Sequence, residues 1–168
     1  MFDKHVFPVN KTEYIRQRRT LKKDHDACIL CAVRDRKEDV VSLEVYRAEG
    51  FVVSLNLYPY NPAHVLVFPE RHTENIRDLT DSEIVAMHHV INDVCTVLDK
   101  EYMPQGYNIG FNIGKASGAS IAHVHCHIVP RYEGELGFID IIAGAKVYIE
   151  EPLVTFQRLK DAFLSLKK

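Results

Sequence analysis

The sequence lacks long apolar runs, an excess of charge of either sign, and a high cysteine content. No run reaches the about 18 apolar residues of a transmembrane helix, and the first residues lead into no apolar signal region, so we expect a cytoplasmic protein without a membrane partner. A formal net charge of -2 over 168 residues gives no electrostatic basis for a nucleic-acid partner. Four cysteines do not make a disulfide framework in a chain long enough to bury a large core. Metal or redox chemistry is therefore the better interpretation of paired cysteines.

What the chain does contain is a run of three histidines at two-residue spacing, HVHCHIVPR at residues 123–131. Alternation with apolar residues predicts a β-strand with His123, His125 and His127 on one face and apolar side chains on the other. Neighbouring histidines on that face are about 6.6 Å apart and the outer pair about 13 Å apart, so one metal ion cannot bind both outer histidines. The three histidines therefore have different roles.

The rest of the pattern predicts an α+β fold with a five-stranded antiparallel sheet. Short turns join the strands at 43–48, 51–57 and 64–68, and consecutive strands on short turns are antiparallel. A long helix over 81–101 begins at a capping box of Thr80 and Glu83 and packs on one face of the sheet, while the other face carries the site. The stripe expected to face the core, with His88 and Cys95 as packed residues, is Ile84, Met87, His88, Ile91, Val94, Cys95 and Leu98. Strands at 107–113 and 123–131 complete the sheet.

Both ends of the chain are predicted to extend this core, which covers about residues 28–131 of a single domain spanning 1–168. A short helix over 12–21 presents a basic patch of Arg16, Arg18, Arg19, Lys22 and Lys23, most simply a solvated surface. Short strands at 138–142 and 145–149 follow the core. A C-terminal helix then begins at Glu151 and Pro152, and its apolar stripe could pack on this domain or on a second subunit.

Cys28 and Cys31 form a C-x-x-C motif, whose two thiolates can bind one tetrahedral zinc ion from a tight turn. A redox-active pair and two buried thiols acting as small apolar groups remain alternatives.

A loop of small residues, GKASGAS at 114–120, precedes the histidine run. It is not a Walker loop, because Ile109 stands where the first glycine is required and a strand follows instead of a helix. Exposed backbone N–H groups with the hydroxyls of Ser117 and Ser120 form a plausible cradle for an oxyanion. A hairpin loop without a ligand is the alternative.

The histidine run, together with NPAHVLV at 61–67, resembles the signature of the histidine triad (HIT) family. The resemblance covers about residues 28–131. The C-x-x-C motif and a histidine after the third strand are similar to the zinc-bearing branch of the family. In that branch the resemblance implies a structural zinc ion with a closed set of four ligands, Cys28, Cys31, His72 and His123.

The resemblance also assigns the remaining site residues. It implies that His125 is the nucleophile, which attacks the α-phosphorus of a nucleotide and forms a covalent nucleotidyl-histidine. His127 then contacts the phosphate or the leaving oxygen, and Asn112, Gly118 and Ser120 bind the phosphate oxygens. Two further residues, Asn56 and His64, are implied to line the nucleoside side. Members of this kind form homodimers, so the resemblance implies a homodimer here.

The implied reaction is nucleotidyl transfer from a dinucleoside polyphosphate, with an adenine dinucleotide as the expected substrate. Many hydrolases of the family carry glutamine at the position of Ala119, and its replacement favours a diadenosine tetraphosphate phosphorylase over a hydrolase. The sequence leaves three alternatives open. A nucleoside phosphoramidase would use the same His125, and a nucleotide-binding module would have no turnover. A zinc-hydroxide hydrolase would bind its metal through His123 and His125.

Overall fold

The computed structural model of the chain describes residues 4–5, 28–38, 40–135, 145–146 and 150–166. The predicted helix over 12–21 with its basic patch and the predicted strand over 138–142 lie outside these residues. Of the predicted strand over 145–149, the described part is β7, Ala145–Lys146, which pairs in parallel with β1, Lys4–His5. Within the described ranges, no helix is both long and apolar enough to cross a membrane.

The main sheet has five antiparallel strands, as predicted, in the order β2-β3-β4-β6-β5. A two-residue turn joins β2 to β3, with Glu49 and Gly50 at φ angles of 49° and 78°. Positive φ at both turn residues matches the twist of the flanking strands. The strands are β2 Glu44–Ala48, β3 Phe51–Leu55, β4 Val65–Pro69, β5 Gly106–Phe111 and β6 Cys126–Arg131.

The long helix, α2, spans Asp81–Tyr102 and begins at the predicted capping box of Thr80 and Glu83. Most of its predicted stripe faces the core, because Met87, Val94 and Leu98 are buried and Ile91 and Cys95 pack against them. Ile84 and His88 do not: Ile84 is 46% exposed, and His88, expected as a packed residue, is also exposed. Val90 and Val97 complete the buried face in their place.

The C-terminal helix, α3, spans Pro152–Leu166 and packs on this domain, against β2 and α2. Leu159 and Phe163 are fully buried in the main core, and the Phe163 ring stacks on Tyr46 with 4.7 Å between centroids. Arg158 forms an ion pair with Glu101 of α2 at 3.2 Å. Leu159 and Phe163 of the predicted stripe therefore pack on this domain, whereas Leu166 at its end is 38% exposed.

The two faces of the sheet bury separate apolar clusters. Along β4, Val65 and Val67 face the main core under α2, whereas Leu66 and Phe68 face a second cluster, which also contains residues of α1, Ile29–Arg34. His127 of β6 is paired with Leu66 and therefore shares its face. The histidines accordingly lie on the face opposite α2, as predicted.

Candidate functional site

The histidine run is only partly a strand. β6 begins at Cys126, so His123 and His125 lie in the extended segment before it. The N–H of Val124 donates to the carbonyl of Thr73, in the loop after β4, at 2.7 Å, which draws this segment away from the sheet ladder. The predicted alternation persists, because Val124, Cys126 and Ile128 all lie in the main core.

Two cysteines and two histidines converge beside the first histidine of the run. The Sγ atom of Cys31 lies 3.3 Å from Nδ1 of His72 and 3.6 Å from Nδ1 of His123, and the Sγ atom of Cys28 lies 3.4 Å from the same His123 nitrogen. All four atoms lie within 4.8 Å of one another. Ligand atoms around a tetrahedral zinc ion are spaced by about 3.3–3.8 Å, given Zn–N and Zn–S bonds of about 2.0 and 2.3 Å. We call this set, Cys28, Cys31, His72 and His123, the Cys–His cluster; its donor atoms fit one zinc ion.

Three separate parts of the chain build the Cys–His cluster. Cys28 caps α1 and Cys31 lies in its first turn, rather than in the expected tight turn. His72 follows β4, and His123 precedes β6. The Nε2–H of His123 donates to the carbonyl of Pro69 at 3.0 Å, which leaves the Nδ1 lone pair directed at the two sulfurs. Burial, followed by the neighbouring Cys28, raises the pKa of the Cys31 thiol to about 11, so an ionised sulfur here needs a cation beside it.

His125 is 6% exposed, and its ring is bonded to the backbone two residues earlier. Its Nδ1–H donates to the carbonyl oxygen of His123 at 2.6 Å. Burial lowers the pKa of His125, so the imidazole is neutral at neutral pH. With the proton on Nδ1, the lone pair resides on Nε2, which is the state a nucleophilic imidazole requires.

A chain of hydrogen bonds sets the protonation of His127 in the same way. The N–H of Tyr60 donates to Nδ1 of His64 at 3.0 Å, so the proton of neutral His64 is on Nε2. That Nε2–H donates to Nδ1 of His127 at 3.0 Å. His127 therefore carries its own proton on Nε2. This Nε2 lies 3.3 Å from Nδ2 of Asn112, and because an NH₂ group cannot accept a hydrogen bond, the assigned proton requires the Asn112 amide to turn its oxygen toward the ring.

Burial keeps the two histidines of this hydrogen-bonded series, His64 and His127, uncharged. Burial and then the neighbouring His127 and His125 lower the pKa of His64 to about 3. Burial and then His125 lower the pKa of His127 to about 4. Both rings are neutral at neutral pH, so His127 acts there as a hydrogen-bond donor through Nε2–H rather than as a cation.

The two residues expected on the nucleoside side differ in their surroundings: Asn56 lines a pocket, and His64 is buried. Asn56 lines an apolar pocket and bonds to Nδ1 of His64 at 3.2 Å. His64 is fully buried and stacks under Tyr60 with 5.1 Å between ring centroids. His64 is therefore shielded from direct contact with a nucleoside. Its link to the site is the hydrogen bond that it donates to His127.

The pocket beside Asn56 was not found from the sequence. Its side chains come from α1, from the segment before β2, from the end of β3 and from the loop before the histidines; they include Ile29, Val33, Val40, Leu57 and Ile121. Apolar residues that line a pocket have the same spacing as those that fill a core, so the sequence holds no signal for it. Its position next to the histidines makes it a candidate for the site of a nucleobase.

The expected phosphate-binding residues divide into two groups. Asn112 and His127 are in contact, because β5 and β6 are neighbours and Phe111 pairs with Cys126 at their ends. Gly118 and Ser120 are exposed in the loop between these strands, and Gly118 has a φ of 87° that favours glycine. Their role as phosphate ligands stays a prediction.

A family model described as HIT domain matches residues 37–134 of the chain. The AP-4-A phosphorylase of Mycobacterium tuberculosis is 41% identical over 110 residues, which is 65% of this chain and 56% of that protein. The asymmetrical bis(5'-nucleosyl)-tetraphosphatase of Schizosaccharomyces pombe is 34% identical over 106 residues, covering 63% of this chain and 58% of that protein. The chain thus matches less than two thirds of the length of either relative.

Among solved structures, a Zn-bound histidine triad family protein from Mycobacterium smegmatis superposes with a TM-score of 0.68 at 26% sequence identity. The superposition covers 84% of this chain and 96% of that protein. The architecture described above is therefore shared with a protein that binds zinc.

Proposed function

The chain belongs to the HIT family, and from this we propose that it transfers a nucleotidyl group from a dinucleoside polyphosphate through a covalent intermediate on His125. The observation that carries the proposal is the 2.6 Å hydrogen bond from Nδ1–H of His125 to the carbonyl of His123. It holds the ring as the tautomer with a nucleophilic Nε2. The relatives named as a phosphorylase and a tetraphosphatase support the substrate class.

The proposed reaction has two steps. In the first, Nε2 of His125 attacks the α-phosphorus, a P–N bond forms, and the P–O bond to the leaving nucleoside polyphosphate breaks. In the second, an acceptor oxygen attacks the same phosphorus and the P–N bond breaks. From diadenosine tetraphosphate the first step releases ATP, and the second gives ADP with inorganic phosphate as acceptor or AMP with water.

His127 supports the first step as a hydrogen-bond donor. In the proposed reaction this Nε2–H, which faces Asn112 in the structure, donates instead to an oxygen of the transferred phosphate or of the leaving group, where negative charge grows in the transition state. Asn112 lies beside it, and we propose that Gly118 and Ser120 bind the remaining phosphate oxygens from the loop. The apolar pocket next to Asn56 would then hold the base, with adenine as the expected occupant.

We propose a zinc ion in the Cys–His cluster. With four protein ligands it would be structural, because no coordination position remains for a reacting water. The zinc-hydroxide alternative needs His125 as a ligand, but Nδ1 of His125 is bonded to the carbonyl of His123 and His125 is not part of the Cys–His cluster. The geometry therefore favours His125 as the nucleophile.

The test is to incubate the protein with labelled diadenosine tetraphosphate, with and without phosphate, and to identify the products. We expect ADP as the second product when phosphate is present, as for a phosphorylase. AMP formed both with and without phosphate would indicate a hydrolase. Rapid quench and mass spectrometry should detect an acid-labile nucleotidyl adduct. An adduct formed only from a nucleoside phosphoramidate would favour the phosphoramidase, and tight binding with no product would indicate a non-catalytic module.

The homodimer implied by the resemblance belongs to this proposal too. Light scattering after size exclusion should give twice the 19.3 kDa chain mass; a value equal to one chain would contradict it. The cytoplasmic location and the single domain over 1–168 stay predictions from the sequence.

A further inference from the structure

We propose that His123 is a positioning residue for the nucleophile, because it joins the Cys–His cluster to His125, so that occupation of the cluster by metal determines which nitrogen of His125 carries the proton. The inference rests on the proposed function, since it concerns the nucleophile of that reaction. It assigns to the metal ligands an effect on the reacting residue in addition to their contribution to stability.

The first part of the link is the His123 side chain. It is 1% exposed, and its two nitrogens have different partners. Nε2–H donates to Pro69, at the end of β4, and Nδ1 faces Cys28 and Cys31. The ring thus spans the space between a strand end and the two sulfurs, and a metal ion bound by the sulfurs would fix its position.

The second part is the peptide unit between His123 and Val124. Its carbonyl accepts the Nδ1–H of His125 at 2.6 Å, and its N–H donates to the carbonyl of Thr73 at 2.7 Å. Thr73 is 5% exposed and directly follows His72, a member of the Cys–His cluster. The plane of this peptide is therefore bonded through both its carbonyl and its N–H. The carbonyl belongs to His123, a cluster residue, and the partner of the N–H, Thr73, is next to His72, another cluster residue.

The third part is the consequence for His125. Without an ion shared by His72 and His123, the His123 residue and the segment that carries Thr73 each lose a restraint. A rotation of the plane moves the carbonyl oxygen away from Nδ1 of His125. The imidazole then exchanges between its two tautomers, and the form protonated on Nε2 has no lone pair with which to attack phosphorus.

The experiment is a long-range ¹H–¹⁵N correlation spectrum of protein labelled with ¹⁵N-histidine, recorded at one fixed neutral pH. The sample is compared as zinc-loaded protein and after removal of zinc with a chelator. The His125 signals are assigned by their absence in His125→Gln. We expect the Nδ1–H tautomer of His125 in the loaded protein and a loss of about half or more of that population after chelation. His64 and His127 should keep their tautomers, because Tyr60 sets them independently of the cluster.

Chelation can also unfold the protein, so a second variant keeps the test decisive. His72→Gln removes the cluster residue whose side chain is 41% exposed, and it should shift the His125 tautomer in the same direction while the fold persists. His89→Gln is the matched control, since His89 is an exposed histidine of α2 that pairs with Glu49. A folded protein whose His125 spectrum is the same with and without zinc, and in His72→Gln, would overturn the inference.

The spectrum does not depend on turnover, so the two proposals fail separately. A tautomer that responds to zinc in a protein that forms no nucleotidyl adduct would remove the proposed function and retain the coupling. An adduct formed by a protein whose tautomer ignores zinc would remove only the coupling.

Discussion

The Nε2 atom of His64 lies 3.0 Å from Nδ1 of His127, and through this contact a fully buried histidine decides which nitrogen a neighbouring histidine presents to the site. The backbone N–H of Tyr60 fixes His64 in turn. The proton positions of both rings are thus set by the donors that face Nδ1 of His64, which are the N–H of Tyr60 and the side-chain amide of Asn56.

His64→Ala is expected to lower kcat about tenfold, the equivalent of one oriented hydrogen bond of about 1.4 kcal/mol. KM should change less, because His64 is fully buried and acts through His127. Steady-state kinetics on a diadenosine polyphosphate measure both constants. His88→Ala, at an exposed histidine of α2, is the control and should leave them unchanged. A rise in KM with normal kcat would instead indicate a direct nucleoside contact.

The depressed pKa of His64 predicts a stability that falls in acid. Burial lowers this pKa to about 3 in the folded protein, against about 6.5 in an unfolded chain. Between these values the unfolded state binds a proton that the folded state does not, so stability is full above pH 6.5 and is lost as the pH falls. The loss is about 1.4 kcal/mol per pH unit for this residue, and His127, with a pKa of about 4, adds a smaller part because it is less buried.

Urea unfolding between pH 7.5 and 4.5 measures this dependence. In His64→Gln the slope of the unfolding free energy against pH should be smaller than in the wild type by the contribution of His64, about 1.4 kcal/mol per pH unit. An unchanged slope would show that His64 does not remain neutral in the folded protein.

His125→Ala is expected to lower turnover at least about a thousandfold, because no other described group occupies the position of the nucleophile. Nucleotide binding and zinc content should be retained, since His125 belongs to neither the pocket nor the Cys–His cluster. The measurements are product formation, trapping of the adduct, calorimetric titration with nucleotide and elemental analysis. Loss of zinc in this variant would support the zinc-hydroxide reaction and contradict the nucleophile.

Cys28→Ser should release the metal and lower the free energy of unfolding by about 3 kcal/mol or more, because binding energy at a structural site contributes to folding. Elemental analysis of the wild-type protein should give near one zinc per chain. The matched control is Cys95→Ser, which changes a partly buried thiol of α2 outside the Cys–His cluster. Equal metal content in both variants would refute the assignment.

Ile121→Trp should fill the apolar pocket beside Asn56 and raise the KM for a dinucleotide about tenfold with a smaller change in kcat. Ile113→Trp, at a side chain that is 52% exposed in the same loop, controls for the added indole. If the two variants have the same KM as wild type, the base binds elsewhere.

Much of the fold follows from local patterns. The antiparallel hairpins follow from short turns such as Glu49-Gly50, and the start of α2 from the capping box of Thr80 and Glu83. The exposure of Ile84 and His88 on α2 does not, since both continue the spacing of the buried stripe and only packing against the sheet decides which positions are covered. The start of β6 at Cys126 has the same origin: Val124 bonds to Thr73, which is distant in sequence.

The site divides in a similar way. Residue types that carry chemistry, such as the C-x-x-C cysteines and the three histidines, are visible as motifs. The contact of His64 with His127 and the apolar pocket beside Asn56 are not, because both depend on strand pairing and on the placement of α1. A buried histidine and a functional one look alike in sequence, and only their partners separate them.

β6 follows β5 in the chain, yet it lies between β4 and β5 in the sheet. Among the described residues, the one strand that pairs with β5 is β6, so β5 cannot join the sheet before residues 126–131 are available. As the chain leaves the ribosome, β4 keeps an open hydrogen-bonding edge until that moment, and closing it brings His127 next to His64. Completion of the sheet and assembly of the site therefore depend on the same late strand, and a truncated chain that stops before β6 can pair β2, β3 and β4 but cannot form the site.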